Sequence, residues 1–419
     1  MPTDETLSKT ADAGLGGLPL SGITVVSFEQ AVAAPFATRQ LADLGARIIK
    51  IERPGAGDFA RGYDETVNGL ASHFVWLNRS KESVALDLKS PEGAAAARAL
   101  CLEADVVLQN LAPGAASRLG LGSEQLRAEK PELIHASISG YGEAGPYADK
   151  KAYDLLVQCE AGLVSITGTP ETPSKVGISI ADIAAGMYAY TGILTAIIRR
   201  LQTGEGATVE ISMLEALGEW MNFPYYYATY GGNAPKRTGA RHAAIAPYGP
   251  VNCAGGEQVF LGVQNEREWA KLCSDVVGQP DLATDERFSR NSLRVANHEE
   301  LMQIIEAGFA DVGADEVADR LQQAGIANAR LRTMKEFGEH PQLASRDRWR
   351  EIGTPNGNVN ALLPPANLDG LVPAMGPVPA LGEHTSAVLA EFGLAASEEP
   401  SDAAGTGSEE AESHRGVDE

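Results

Sequence analysis

The sequence has little of what defines several common protein classes. Its 419 residues include four cysteines, and none belongs to a C-x-x-C pair or lies near a histidine at metal-ligand spacing: Cys101, Cys159, Cys253 and Cys273. Neither a zinc motif nor a disulfide framework is therefore predicted, and we expect no metal site. Basic residues are also scarce, with 34 Lys and Arg against 56 Asp and Glu and a formal charge of −22. Such a surface repels polyanions, so nucleic acid is not an expected partner.

Long hydrophobic runs are almost absent. Residues 1–17 do not combine a positively charged start with an apolar stretch, which favours a cytoplasmic protein. One stretch, residues 180–198, has nearly the length of a bilayer span, but Asp182 lies near its start. A carboxylate within hydrocarbon costs about 2.5–3.5 kcal/mol. The stretch therefore predicts a buried core helix, and no membrane partner is expected.

The central part of the chain alternates between strand and helix patterns. Apolar strand runs occur at 22–28, 47–52, 83–88, 105–109, 133–139 and 209–212, with helical runs between them. This alternation predicts an α/β fold, a Rossmann-like large domain with a parallel sheet. A dinucleotide site is disfavoured, because the first strand runs into Glu29 and Gln30 without the G-x-G-x-x-G fingerprint.

The domain layout follows from changes in composition. We expect a disordered N-terminus at 1–17, the first part of the large domain at 18–220, and a smaller α+β domain at 221–325. A return of α/β character at 326–394 predicts that the parallel sheet is built from both chain ends. Residues 395–419 carry eight acidic residues and one arginine, and such an acidic tail is typical of disorder.

Two segments near opposite ends of the chain carry a family resemblance. AAPFATRQLADLGARIIKIERPGAGD occupies residues 33–58, and GEHT occupies 382–385. In this pattern the chain resembles the family III CoA-transferases, the CaiB/BaiF group, over about residues 18–394. That group includes formyl-CoA and carnitine CoA-transferases and the α-methylacyl-CoA racemases. The resemblance implies an interlocked homodimer, acyl-CoA and a small carboxylic acid as substrates, and no cofactor.

The resemblance also implies where coenzyme A binds. Most of the implied contacts fall just after predicted strands, where open α/β sheets bind ligands. The implied CoA-binding residues are Val32, Ala33, Arg53, Leu86, Asp87, Leu88, Lys89, Asn110, Leu111, Ala112, Arg118, Lys151, Ala152, Tyr153 and Asp154.

The resemblance implies that Asp182 is the catalytic nucleophile, because ADIAAGM at 181–187 fits the family pattern of an aspartate followed by a Gly-Met helix. Its place near a helix start predicts an ionised carboxylate, since the free N–H groups there favour negative charge. The expected reaction passes through an aspartyl anhydride and an aspartyl-CoA thioester. Without the flanking pattern, Asp182 reads as an ordinary helix-capping residue.

Two neighbouring positions bear on the type of reaction. Similar racemases carry histidine where this chain has Tyr153, and an unperturbed tyrosine is a poor base at neutral pH, which favours CoA transfer. Formyl-CoA-type transferases carry glutamate where this chain has Asp154. The segment 238–249 stands where those enzymes have a glycine-rich loop, so the resemblance implies an acid other than oxalate. His242 and Tyr248 are candidate acid-recognition residues, and a loop histidine packed against its neighbours is the alternative interpretation of His242. An α-methylacyl-CoA racemase and a non-catalytic acyl-CoA-binding protein remain the alternatives.

Overall fold

The computed structural model describes residues 17–394. The predicted disordered N-terminus, apart from Gly17, and the acidic tail at 395–419 lie outside the described residues.

A parallel six-stranded sheet forms the centre of the molecule. Its strands are β1 (Thr24–Phe28), β2 (Arg47–Glu52), β3 (Lys81–Ala85), β4 (Val106–Gln109), β5 (Ile134–Ser139) and β6 (Thr208–Ser212). They lie in the order β3-β2-β1-β4-β5-β6. Each predicted strand is present, with bounds displaced by at most three residues. Val25, Val26, Ile48 and Ile49 are buried, as expected for a sheet that is covered on both faces.

Helices cover both faces of this sheet. Those of the large unit are α1 (Ala33–Asp43), α2 (Ser72–Leu77), α3 (Pro91–Glu103), α4 (Ala115–Arg118), α5 (Ser123–Glu129), α6 (Asp154–Glu160), α7 (Leu163–Ile166), α8 (Ile180–Thr203), α9 (Met213–Trp220) and α10 (Asn222–Gly231). One apolar core joins α1, α8 and α9 to one face, and a second joins α3 and α5 to the other. The α/β prediction is therefore confirmed.

Helix α8 is long and apolar enough to cross a membrane by length and composition. Its small residues Ala181, Ala184, Ala185 and Ala189 are instead buried against α1 and the sheet. The helix ends at Gly204, whose φ of 78° gives the left-handed conformation common after a helix C-terminus. It serves as the predicted core helix.

A smaller α+β unit follows with its own core, which includes Trp269, Phe288 and Phe309. Its antiparallel strands are β7 (Tyr248–Asn252), β8 (Gln258–Gly262) and β9 (Ala327–Ala329). The helices are α11 (Glu266–Lys271), α12 (Asn291–Ala296), α13 (His298–Phe309) and α14 (Ala314–Ala324). Because β9 pairs with β8, the unit extends past residue 325.

The prediction that the parallel sheet is built from both chain ends is wrong. All six strands come from residues 24–212, and the C-terminal part adds α15 (Met334–Gly338), α16 (Pro341–Ser345), the hairpin β10 (Trp349–Thr354) and β11 (Gly357–Leu362), and α17 (Thr385–Glu391). The GEHT turn covers the free edge of β3 instead of adding a strand. The Ser83 N–H donates to His384 Nδ1 at 3.2 Å, and the Ala85 N–H donates to Thr385 Oγ1 at 2.9 Å. With its edge groups bonded in this way, β3 has no place for a seventh strand.

Candidate active site

A large cavity opens at the carboxyl ends of the parallel strands, with a volume of about 2330 Å³. The residues that end or follow β1 to β5 line it, together with the start of α8. Open parallel sheets bind ligands at this edge. All of the predicted CoA-binding residues and the predicted nucleophile lie on its wall: Val32, Ala33, Arg53, Leu86, Asp87, Leu88, Lys89, Asn110, Leu111, Ala112, Arg118, Lys151, Ala152, Tyr153, Asp154 and Asp182.

The loop between β1 and α1 is held by side chains from elsewhere in the chain. Asn110 brackets Gln30, since its Oδ1 accepts from the Gln30 N–H and its Nδ2 donates to the Gln30 carbonyl, both at 2.9 Å. The next residue, Ala31, has a φ of 62°, a conformation that favours glycine. Its N–H donates to Asp58 Oδ1 at 3.0 Å. These bonds fix the chain where Val32 and Ala33 face the cavity.

A cluster of fully buried charges lies beneath this loop. Lys50 Nζ bonds to Asp58 Oδ2 at 2.7 Å and to Glu29 Oε1 at 3.3 Å, and Lys81 Nζ bonds to the same Glu29 oxygen at 2.7 Å. Burial lowers the pKa of Lys81 to about 8, although Glu29 opposes the change. Burial acts to raise the pKa of Glu29, but the two lysines outweigh it and the net direction is down. The carboxylates and ammonium groups therefore neutralise one another's charge at a place that solvent does not reach.

The nucleophile candidate is brought against this loop by close helix packing. Asp182 is the third residue of α8, and Gly186 lies one turn further on. A Cβ on Gly186 would stand 2.6 Å from the Ala33 carbonyl oxygen, so only glycine lets α8 approach the start of α1 this closely. This explains in physical terms why the aspartate is followed by glycine four residues later.

The helix N–H groups that were expected to stabilise an ionised Asp182 are not free. Asp154 Oδ1 takes those donors, accepting from the Ala181 N–H at 2.8 Å and the Asp182 N–H at 3.4 Å. The carboxylate oxygens of Asp182 accept no hydrogen bond from residues 17–394. Burial and then the charge of Asp154 raise the pKa of Asp182 to about 7. The side chain is therefore poised between acid and carboxylate near neutral pH, the range in which catalytic groups work well.

Aromatic side chains occupy the cavity wall around the nucleophile. Tyr63 packs edge-on against His73, with ring centroids 5.5 Å apart, and both line the cavity. Burial, followed by the charges of Asp58 and Asp182, raises the pKa of Tyr63 to about 12. The Tyr63 hydroxyl therefore keeps its proton at neutral pH and does not act as a base there. Tyr153 is 64% exposed, immediately before Asp154.

Six lysine and arginine side chains line the cavity of this acidic protein. They are Arg53, Lys89, Arg118, Lys150, Lys151 and Lys175. Lys150 pairs with Glu160. Arg53, Lys89 and Arg118 follow β2, β3 and β4, which gives a row of positive charge suited to phosphate groups. In residues 17–394, no group of three or more His, Cys, Asp or Glu side chains is arranged to hold a metal ion.

The two predicted acid-recognition residues lie away from the nucleophile in the single chain. His242 stacks on Tyr248 with ring centroids 5.3 Å apart. Tyr248 lines a second cavity of about 340 Å³ with Arg241 and His298, and neither His242 nor Tyr248 lines the large cavity. Their role in acid recognition stays a prediction.

Sequence reasoning missed four residues that the fold brings to this site: Asp58, Tyr63, His73 and Lys175. Lys50 lies in the middle of the apolar strand 47–52, and this charge is the one signal in the sequence of a buried acidic partner such as Asp58. The others carry no local pattern. Asn110, predicted to contact CoA, uses its side chain to hold Gln30.

Comparison with known proteins assigns the family. The sequence model of CoA-transferase family III matches residues 20–385. A succinate–glutarate CoA-transferase of Agrobacterium fabrum is 34% identical over 89% of this chain and 96% of that protein. An acetyl-CoA:oxalate CoA-transferase of Acetobacter aceti is 36% identical over 80% of this chain and 86% of that protein. The crystal structure of a CaiB/BaiF family protein from Brucella suis superposes with a TM-score of 0.79 at 32% identity, covering 90% of this chain and 99% of that one. The chain therefore belongs to CoA-transferase family III.

Proposed function

We propose that this CoA-transferase moves coenzyme A from an acyl-CoA to a dicarboxylic acid, and that Asp182 carries first the donor acyl group as an anhydride and then CoA as a thioester. The observation that carries the proposal is that Asp182 lines the same cavity as the cations that follow β2, β3 and β4. The nucleotide phosphates of CoA would bind along Arg53, Lys89 and Arg118. The pantetheine arm would then extend toward the start of α8.

The first half of the reaction exchanges a thioester for an anhydride. The Asp182 carboxylate attacks the thioester carbonyl, the C–S bond breaks, and CoA leaves as a thiolate. The thiolate then attacks the aspartyl carbonyl of the mixed anhydride, which releases the donor acid and leaves CoA as a thioester on Asp182. An acceptor carboxylate repeats these steps in reverse. Each step exchanges one activated acyl group for another, so the scheme uses neither a metal nor an organic cofactor.

Charge on the tetrahedral oxygen needs preorganised donors. Val32 immediately precedes α1 and Ala33 is its first residue, and both line the cavity. The first N–H groups of a helix have no partner within it. The bonds from Asn110 and Asp58 fix the orientation of this loop before substrate arrives. The loop therefore supplies donors that need no reorganisation during the reaction.

Relatives support dicarboxylic acids as the substrate class. The named activities of similar proteins involve succinate with glutarate, and oxalate. Racemase chemistry is disfavoured because Tyr153 stands where similar racemases carry a histidine base. A racemase would exchange the α-proton of a 2-methylacyl-CoA with deuterium from solvent, whereas we expect no such exchange.

Exposed aromatic residues support a homodimer. Helix α10 has no buried residue in the single chain, and its large side chains are 44–81% exposed: Phe223, Tyr225, Tyr226, Tyr227 and Tyr230. Exposed apolar patches of this kind mark association surfaces. Light scattering after size exclusion should give twice the chain mass, and Tyr230→Asp should shift the protein toward monomer. A monomeric wild-type protein would contradict the proposed dimer.

The role of Asp182 is tested by trapping the covalent intermediate on its side chain. After incubation with succinyl-CoA or acetyl-CoA followed by hydroxylamine, mass spectrometry should find a hydroxamate at Asp182. Asp182→Asn should abolish the adduct and the transfer of CoA. Asp319→Asn, an exposed aspartate in α14, is the matched control and should behave as wild type. An adduct on a cysteine, or CoA transfer by Asp182→Asn, would overturn the mechanism, and binding of CoA without any transfer would indicate a non-catalytic protein.

A further inference from the structure

The segment between α7 and α8 forms a turn that is held along its length. Gly168 and Pro173 form an isolated antiparallel bridge, and the Ser174 N–H donates to the Thr167 carbonyl at 2.9 Å. The guanidinium of Arg237 donates to three carbonyl oxygens of this region at 2.9–3.1 Å, those of Ser165, Thr169 and Pro170. These bonds give the turn a defined conformation. Lys175 is the next residue along the chain.

A chain of hydrogen bonds connects the end of this turn with the nucleophile. The Val176 N–H donates to Gln158 Oε1 at 3.0 Å, and Gln158 Nε2 donates to Asp154 Oδ2 at 2.7 Å. The other oxygen of Asp154 accepts from the Ala181 N–H, next to Asp182. The residue after Lys175 is thus connected through two side chains to the N–H group next to Asp182.

The ammonium group of Lys175 is available to a ligand. Its Nζ donates only to the adjacent Val176 carbonyl at 3.1 Å, and it forms no ion pair with any Asp or Glu of residues 17–394. Lys175 and Asp182 line the same cavity. Lys175 follows none of the strands that carry Arg53, Lys89 and Arg118, so it is separate in the sequence and in the fold from the cation row at the strand ends.

We propose that Lys175 binds the second, unreacting carboxylate of a dicarboxylic acid while its first carboxylate reacts at Asp182. This inference rests on the proposed transfer of CoA at Asp182. A short dicarboxylic acid brings a second negative charge a few bonds from the reacting centre. The partly desolvated cavity of a protein with a net charge of −22 disfavours that charge unless a cation meets it. Lys175 is placed to supply the cation and thereby distinguishes dicarboxylic from monocarboxylic acids.

The test compares two acceptors of equal chain length, glutarate and valerate, which differ in a single carboxylate. Acetyl-CoA serves as the donor because its acyl group has no second carboxylate. Lys175→Met should reduce kcat/KM for glutarate about tenfold to a hundredfold, the effect of one charge-assisted hydrogen bond, mainly through KM. The kcat/KM for valerate and the KM for acetyl-CoA should not change. Lys175→Arg should retain most of the preference for glutarate, and Lys335→Met, an exposed lysine outside the cavity, should match wild type.

Three results would overturn the role of Lys175 while leaving CoA transfer in place. If Lys175→Met raised the KM for acetyl-CoA as much as the KM for glutarate, Lys175 would bind the CoA nucleotide. Equal losses with glutarate and valerate would show that the lysine only supports the turn. A wild-type enzyme that accepts valerate as well as glutarate would show that no second carboxylate is recognised. Absence of transfer to any acid, with no adduct at Asp182, would instead refute the proposed function itself.

Discussion

The raised pKa of Asp182 makes a prediction about stability that needs no substrate. The unfolded chain ionises an aspartate near 3.8, whereas the folded chain holds the proton at Asp182 until about pH 7. Between these values the folded state binds more protons, so its stability falls as pH rises through this window and the loss is complete above pH 7. Asp182→Asn removes the ionisable group. The substitution breaks no hydrogen bond to the side chain, because the carboxylate accepts none from the described residues.

The magnitude follows from the difference between the two pKa values. Three pH units at about 1.4 kcal/mol each give an upper value of about 4 kcal/mol. Because the side chain is partly exposed to the cavity, we expect Asp182→Asn to raise the free energy of unfolding by about 2–4 kcal/mol at pH 8.5. At pH 4 the variant and the wild type should differ little.

Urea denaturation at fixed protein concentration measures this effect at pH 4, 6 and 8.5. The gain should grow with pH for Asp182→Asn and be absent for the exposed control Asp319→Asn. A variant that is no more stable than wild type at pH 8.5, or a gain of equal size at all three pH values, would refute the electrostatic reasoning. The first result would place the pKa of Asp182 near its ordinary value.

The remaining predictions concern the surroundings of the nucleophile. Asp154→Asn removes the negative charge that is the second cause of the raised pKa of Asp182, so the acid limb of the pH profile of kcat/KM should move down by about one to two pH units. Asp154→Glu keeps the charge and should leave the limb in place. An unmoved limb in Asp154→Asn would assign that limb to a group other than Asp182. Gly186→Ala forces a clash with the start of α1 and should cost about 1–3 kcal/mol in denaturation experiments. By contrast, Gly218→Ala, which meets open space within α9, should stabilise by up to about 1 kcal/mol, and equal effects would contradict the packing argument. Lys50→Met leaves two buried carboxylates without their shared cation and should destabilise by about 3–5 kcal/mol, while a variant as stable as wild type would show that these charges are hydrated.

Local pattern was sufficient for the parallel sheet and its helices. The β-branched run of β2 and the small apolar residues of α8 each specify one element without reference to the rest of the chain. The position of Asp182 came from a family pattern, and the approach of Gly186 to Ala33 supplies its physical reason.

Contacts between distant segments could not be predicted in this way. Asp154 and the Ala181 N–H are 27 residues apart, and their bond takes a helix N–H group that the sequence alone leaves to Asp182. The turn at His384 bonds to β3 about 300 residues earlier, so the α/β character of residues 326–394 does not correspond to a strand of the parallel sheet. Partners of this kind depend on topology and not on spacing along the sequence.

The cover over the edge of β3 has a consequence for synthesis of the chain. The ribosome makes Ser83 and Ala85 about 300 residues before His384 and Thr385. Until those later residues emerge, the nascent sheet presents an open strand to its surroundings. A product truncated before Gly382 would keep that strand open permanently, and it should aggregate by edge-to-edge pairing even though the nucleophile and every strand of the sheet are present.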